Sequence, residues 1–216
     1  MHAQGDARST SNPSTVPATD DEIREKYLER AIRELNAFAR ELQECPHCPR
    51  GQLLPVLGSG HPQADILMLK HSPRPSEIEE GVAFYGRSGN ALMKSLKRLS
   101  IDPLAVYGTL CVKCPVLEPE LADPACISRI SEEIAIVSPK IVVVMGEDAL
   151  EVLNELDLPL SVAVEPTLGV LQQLTPTTEA LYVPNIDASL DEEGAKREFW
   201  SAFRVLGQWW ADLPPY

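Results

Sequence analysis

The chain has 216 residues, 44% of them hydrophobic, which is enough to bury one substantial core and too few to favour two large domains. No run approaches the roughly 20 apolar residues of a membrane span, and the polar start from Met1 to Pro17 carries neither an anchor nor a secretory signal, so a soluble, cytoplasmic protein without membrane contact is expected. A formal net charge of -13 argues against a protein that coats nucleic acid, because phosphate contacts need local positive potential.

Residues 1–18, rich in Ser, Thr, Pro and Ala without a hydrophobic period, are expected to form a disordered tail, leaving 19–216 as a single domain. A helix starts at a Thr19/Asp20 cap and carries Ile23, Tyr27, Ala31, Ile32, Leu35, Phe38 and Leu42 at helical spacing. The short apolar run Ala64 to Lys70 reads as a buried parallel strand, followed by a helix from Ala91 to Leu99. A strand over Val106 to Val112, a helix over Ile127 to Val137, a central strand over Lys140 to Gly146 and a helix over Glu147 to Leu156 continue the alternation. Weaker strands are expected near Val162 to Val164 and Ala180 to Val183. A final helix carries Phe199, Trp200, Phe203, Leu206 and Trp210 as core anchors. Alternating strand and helix imply an α/β fold with a mainly parallel sheet between two helical layers, and ligands bound at the carboxyl ends of its strands.

Charge is unevenly distributed along this order. Between Lys70 and Cys114, seven basic residues stand against four acidic ones. The same bias also reads as a plain solvated helix face around Lys94 to Arg98.

Five cysteines, an odd number, suit metal ligands and buried thiols better than a disulfide framework. Cys45-Pro-His-Cys48 sets two thiols three positions apart, able to reach one ion or cluster. Cys111 with Cys114 would complete a zinc-ribbon-like set, and Cys114 with Cys126 a cluster-type one. Alternation along the 106–112 strand turns Cys111 into the core and frees Cys114 beyond the strand end, which favours Cys45, Cys48, Cys114 and Cys126.

The order Cys-x-x-Cys, Gly58-Ser-Gly60, Ala64-Asp-Ile-Leu-Met, Phe84-Tyr-Gly-Arg-Ser-Gly89, Val106-Tyr-Gly-Thr, Val112-Lys-Cys114 and Pro139-Lys-Ile-Val-Val-Val-Met-Gly146 resembles the iron-sulfur uracil-DNA glycosylases of the family 4 type, over roughly residues 40–155. The resemblance implies a three-layer αβα fold, a [4Fe-4S] cluster on the four cysteines, with zinc as the alternative, and a pocket for an extruded base of single-stranded or damaged DNA. A monomer is expected.

Such an enzyme stacks the base on an aromatic ring, reads its polar edge and stabilises both an oxocarbenium-like sugar and a departing anion. The family's Gly-Glu-Ala-Pro-Gly loop is matched here by Lys70-His-Ser-Pro-Arg74, so His71 takes the place of the residue that manages water. The base pocket would hold Ser72, Phe84 and Leu110, with Leu110 at the position of the base-reading Asn. Asn185 stands where the family has the His that supports the leaving anion, and Lys70, Arg74 and Arg87 are candidates for the DNA backbone. Leucine offers no polar edge, so weak or absent activity on uracil is expected. Two classes remain open: a diverged glycosylase of base-excision repair, with His71 and Asn185 catalytic, and a non-catalytic iron-sulfur protein that binds DNA or another partner.

Overall fold

The computed structural model describes residues 19–118 and 121–214; the 1–18 tail expected to be disordered lies outside the described residues. Helix α1 (Asp20–Glu44) opens with a reciprocal cap, in which the Thr19 hydroxyl accepts from Glu22 N and the Glu22 carboxylate accepts from Thr19 N. Of its apolar stripe it buries Ala31, Phe38 and Leu42.

Six strands form one sheet: β1 (Ser59–Gly60), β2 (Ile66–Lys70), β3 (Val106–Leu110), β4 (Ile141–Met145), β5 (Leu171–Thr175) and β6 (Thr178–Val183), in the order β1-β3-β2-β4-β6-β5. The inner four are parallel, and the two edge strands are antiparallel to their neighbours. Register aligns the carboxyl ends of the inner four, because Lys70 pairs with both Leu110 and Met145, and Met145 pairs with Val183. Four chain segments therefore leave the sheet at one level.

Side-chain alternation builds a core on each face. Leu67, Leu69, Val142 and Val144 meet Ile130 and Ile134 of α4 (Pro124–Val137) and Leu150 and Leu153 of α5 (Glu147–Glu155). Ile66, Met68, Ile141 and Val143 meet Leu92 and Leu96 of α3 (Arg87–Arg98) and Phe199, Phe203 and Leu206 of α6 (Glu193–Ala211). Each such side chain contributes about 1.5–3 kcal/mol by leaving water. A short helix α2 (Pro75–Glu80) follows β2, ending at Gly81 in the left-handed conformation. The α/β architecture is as the sequence implies. No helix among the described residues is long and apolar enough to cross a membrane.

Two local expectations are corrected. Residues 162–164 form no strand, because the backbone of Val164 bonds the Asn154 side chain in both directions; the edge strand is β5, later in the chain. On α6 the fully buried tryptophan is Trp209, which continues the Phe199, Phe203, Leu206 stripe, while Trp200 and Trp210 pack against the same core half-buried.

Candidate functional site

Two features lie at the carboxyl ends of the strands and beyond them. The first is a sulfur cluster. Cys114 follows β3, Cys126 lies in the first turn of α4, and Cys48 lies in the loop after α1; all three are buried, with ligand atoms within 4.8 Å of one another. The Cys114 and Cys126 sulfurs are 3.9 Å apart, and Asp123 N donates to the Cys48 sulfur at 3.4 Å. Val112 and Ala122 pack with the three cysteines in this small cluster. Hydrogen bonding between the two sulfurs pushes the Cys114 thiol up and holds that of Cys126 down, at about 6. Three buried, mutually facing sulfurs, one of them biased toward thiolate, are a donor set that suits a soft metal ion or an iron-sulfur group.

Cys45 does not join that trio. It ends α1 half-buried and lines a separate surface cleft with His47, Ser128 and Arg129. Cys111 is apart as well, buried in the core on the α4 face, where burial pushes its thiol up to about 12.

The second feature is a buried ion triad. Lys70, the last residue of β2, is 1% exposed, and its Nζ donates to Glu77 Oε2 at 2.7 Å and to Asp187 Oδ2 at 2.8 Å. Glu77, on α2, also accepts from Arg74 N at 2.7 Å and Phe84 N at 2.5 Å. One carboxylate thus fastens the 70–74 loop and the Phe84 turn together. Phe84 itself has φ 57, a left-handed conformation that costs a non-glycine residue about 1–2 kcal/mol. Room for it comes from two glycines: a Cβ on Gly89 would stand 1.7 Å from Phe84 O, and one on Gly108 2.6 Å from its ring. The Lys70 ammonium lies 5.4 Å from the ring centroid.

The predicted site residues separate into two groups in space. Phe84 borders a cavity of about 450 Å³ with Ser59, Tyr85, Asn90 and Met93. Arg74 and Arg87 border a second, of about 260 Å³, with Ser76, Ser88, Asp187 and Asp191. His71, Ser72, Leu110 and Asn185 line neither. His71 and Ser72 are half-buried in the loop after β2, and the His71 carbonyl accepts from Val112 N. Leu110 is fully buried against Val56 and Ala83. Asn185 caps the short turn after β6, its Oδ1 accepting from Asp187 N at 2.9 Å. Lys70, expected on a DNA backbone, is turned inward and neutralised by two carboxylates, so it presents no charge to a phosphate. A further cleft of about 870 Å³ opens at the opposite end of the sheet beside Pro139 and Thr178, away from all these groups.

Sequence reasoning missed Glu77 and Asp187. Glu77 carries no signal of its own in the sequence, and only its partnership with Lys70, a charged residue closing an otherwise apolar strand, could have revealed it. Arg87 pairs with Asp191 at 2.7 Å on the open surface, and that contact holds the Asp191 carboxyl below its usual range.

Comparison with known proteins places this geometry. A family model described as the uracil DNA glycosylase superfamily matches residues 57–204. A type-4 uracil-DNA glycosylase of Sulfurisphaera tokodaii is 31% identical over 121 residues, 52% of this chain and 54% of that protein. One of Pyrobaculum aerophilum is 27% identical over 132 residues, 58% of this chain and 65% of that protein. The chain therefore spans less than two thirds of the length of either relative. With the match running from the segment before β1 well into α6, through both site features except Cys48, the chain belongs to the uracil DNA glycosylase superfamily.

Proposed function

We propose that the protein is a DNA-binding member of base-excision repair type that excises uracil weakly or not at all, acting as a cytoplasmic monomer. The observation that carries this reading is the closed triad at the end of β2. Where the resemblance calls for an open, glycine-flanked loop, Lys70 is locked between Glu77 and Asp187. Beside it Leu110 supplies only carbon, and Asn185 spends its carbonyl oxygen on a turn. Each lost donor or acceptor costs about two to three orders of magnitude in rate, and several losses at one site leave little catalysis.

What the residues retain is suited to binding. Phe84 offers a ring for a base, and Arg74 and Arg87 flank the neighbouring cavity as backbone contacts; DNA that is single-stranded or damaged costs least to engage, since an unpaired base need not be pulled from a duplex. His71 and Asn185 are the groups through which residual bond cleavage would act. The test measures uracil release and binding on the same single- and double-stranded oligonucleotides. Binding with release near the protein-free background supports the reading; rapid release from either substrate overturns it.

Cys48, Cys114 and Cys126 would hold a [4Fe-4S] cluster whose part is structural, joining separate segments of the chain, with Cys45 moving in from the end of α1, where it stands outside the trio, as the fourth ligand. A single zinc ion is the second reading, favoured by the 3.9 Å separation of Cys114 and Cys126. Tetrahedral thiolate ligands at about 2.3 Å from zinc stand about 3.8 Å apart.

A further inference from the structure

A second buried ion pair lies against the cysteine cluster, and the function proposed above makes no use of it. Lys113, immediately before Cys114, and Glu133, on α4 two turns beyond Cys126, are both 0% exposed and meet at 2.7 Å. Every proton of the ammonium is used, because Nζ also donates to Thr109 Oγ1 at 2.6 Å and to the Leu110 carbonyl at 2.8 Å. The carboxylate is equally committed, accepting from Tyr107 Oη at 2.7 Å and Thr109 Oγ1 at 2.7 Å. The Lys113 carbonyl in turn accepts from Val56 N at 2.7 Å.

Placement gives this network its meaning. Tyr107 and Thr109 belong to β3, whose continuation delivers Cys114, while Glu133 belongs to the helix that delivers Cys126. Phe38 of α1, whose end leads into Cys45 and Cys48, has its ring centroid 6.0 Å from Lys113 Nζ. One buried polar node thus touches all three segments that carry the cysteines of the centre. A fold needing only stability has no call for it, since replacing a buried ion pair by well-fitted neutral groups is often neutral or stabilising. Two fully satisfied charges instead fix direction and distance, which apolar contacts do poorly. Space for the node is reserved in the sequence: a Cβ on Gly58 would stand 2.3 Å from Tyr107 Oη and 2.5 Å from Glu133 Oε1.

We infer that Lys113 and Glu133 are positioning residues of the metal centre, setting Cys48, Cys114 and Cys126 at ligand spacing through Tyr107, Thr109 and Phe38. The inference rests on the reading of the cysteines as metal ligands. It is tested on the protein as purified, by its metal content and by the half-time of metal loss under excess chelator, beside the thermal midpoint of each metal-free form. The double variant Lys113→Met with Glu133→Gln removes both charges while the new amide oxygen still accepts from β3. It is expected to fold with a metal-free midpoint near that of the parent and to lose metal about 10 to 100 times faster, the range typical of groups that orient ligands from behind. Gly58→Ala, which crowds Tyr107 Oη and Glu133 Oε1 without altering either charge, is expected to shift metal loss in the same direction. Unchanged chelator resistance in a folded double variant overturns the inference, as does failure of both variants to fold, which would make the pair a stability element only. A parent protein that carries no metal overturns the reading of the cysteines itself, and the inference with it.

Discussion

Lys70 Nζ reaches Asp187 Oδ2 at 2.8 Å across the end of β4, so a residue closing β2 is tied to one just past β6. Glu77 completes the arrangement from α2 at 2.7 Å. The two contacts tie the ends of β2 and β6 to helix α2.

Removing the ammonium leaves two carboxylates facing each other, one of them wholly buried. Lys70→Met is expected to destabilise the protein by about 3–5 kcal/mol in urea unfolding. Asp187→Asn, which leaves the Lys70–Glu77 pair intact, costs less, about 1.5–3 kcal/mol. Equal effects of the two would show that Glu77 is not the principal partner.

Gly108 lies under the Phe84 ring, and a methyl group there would stand 2.6 Å from it. Gly108→Ala is expected to cost about 1–3 kcal/mol through overpacking. It should also lower binding of single-stranded oligonucleotides by displacing the ring. Wild-type affinity in the variant would remove Phe84 from the binding surface.

Arg74 and Arg87 are tested by salt dependence. Arg74→Ala and Arg87→Ala are each expected to weaken oligonucleotide binding for all sequences alike and to reduce the slope of log affinity against log salt by about 1. Asp191→Asn frees Arg87 from its surface partner and is expected to tighten binding. An unchanged slope in both arginine variants would place the DNA elsewhere.

The same pair carries a pH signature. The Arg87 guanidinium, by hydrogen bond and by charge, holds the Asp191 carboxyl below its usual range. A carboxyl lowered in the folded state contributes stability that is complete above the ordinary carboxylate range and is lost as pH falls through the lowered value. Titration of Asp191 by NMR is expected to return to the ordinary range in Arg87→Ala, and to move upward when an oligonucleotide occupies Arg87.

Much of the fold was legible because its signals are local. The apolar runs of β2 and β4 and the Thr19 cap of α1 declare themselves within a few residues. Strand β5 was not legible: its polar Gln172 and Gln173, half-buried and exposed, break any apolar run, and it is held by pairing with β6. Within the site, the spacing of the cysteines pointed to Cys48, Cys114 and Cys126, yet it could not show that Cys45 caps α1 outside the trio. Lys70 was legible as the end of a strand but not as a charge turned inward, and Lys113, Glu77 and Glu133 gave no sign of burial, because a sequence shows the sign of each group and not the distant partner that makes its burial tolerable.

At the centre of the proposed site, Cys48, Cys114 and Cys126 bring three buried sulfurs within 4.8 Å of one another, and we propose that they hold one iron-sulfur group. Visible absorption and iron content of protein purified without exposure to air, compared with Cys126→Ser, test that directly. The expected result is a brown protein absorbing near roughly 400 nm, the thiolate-to-iron charge-transfer region, with colour and iron lost together in the variant. A colourless, iron-free protein, or one whose colour survives the loss of Cys126, would contradict it.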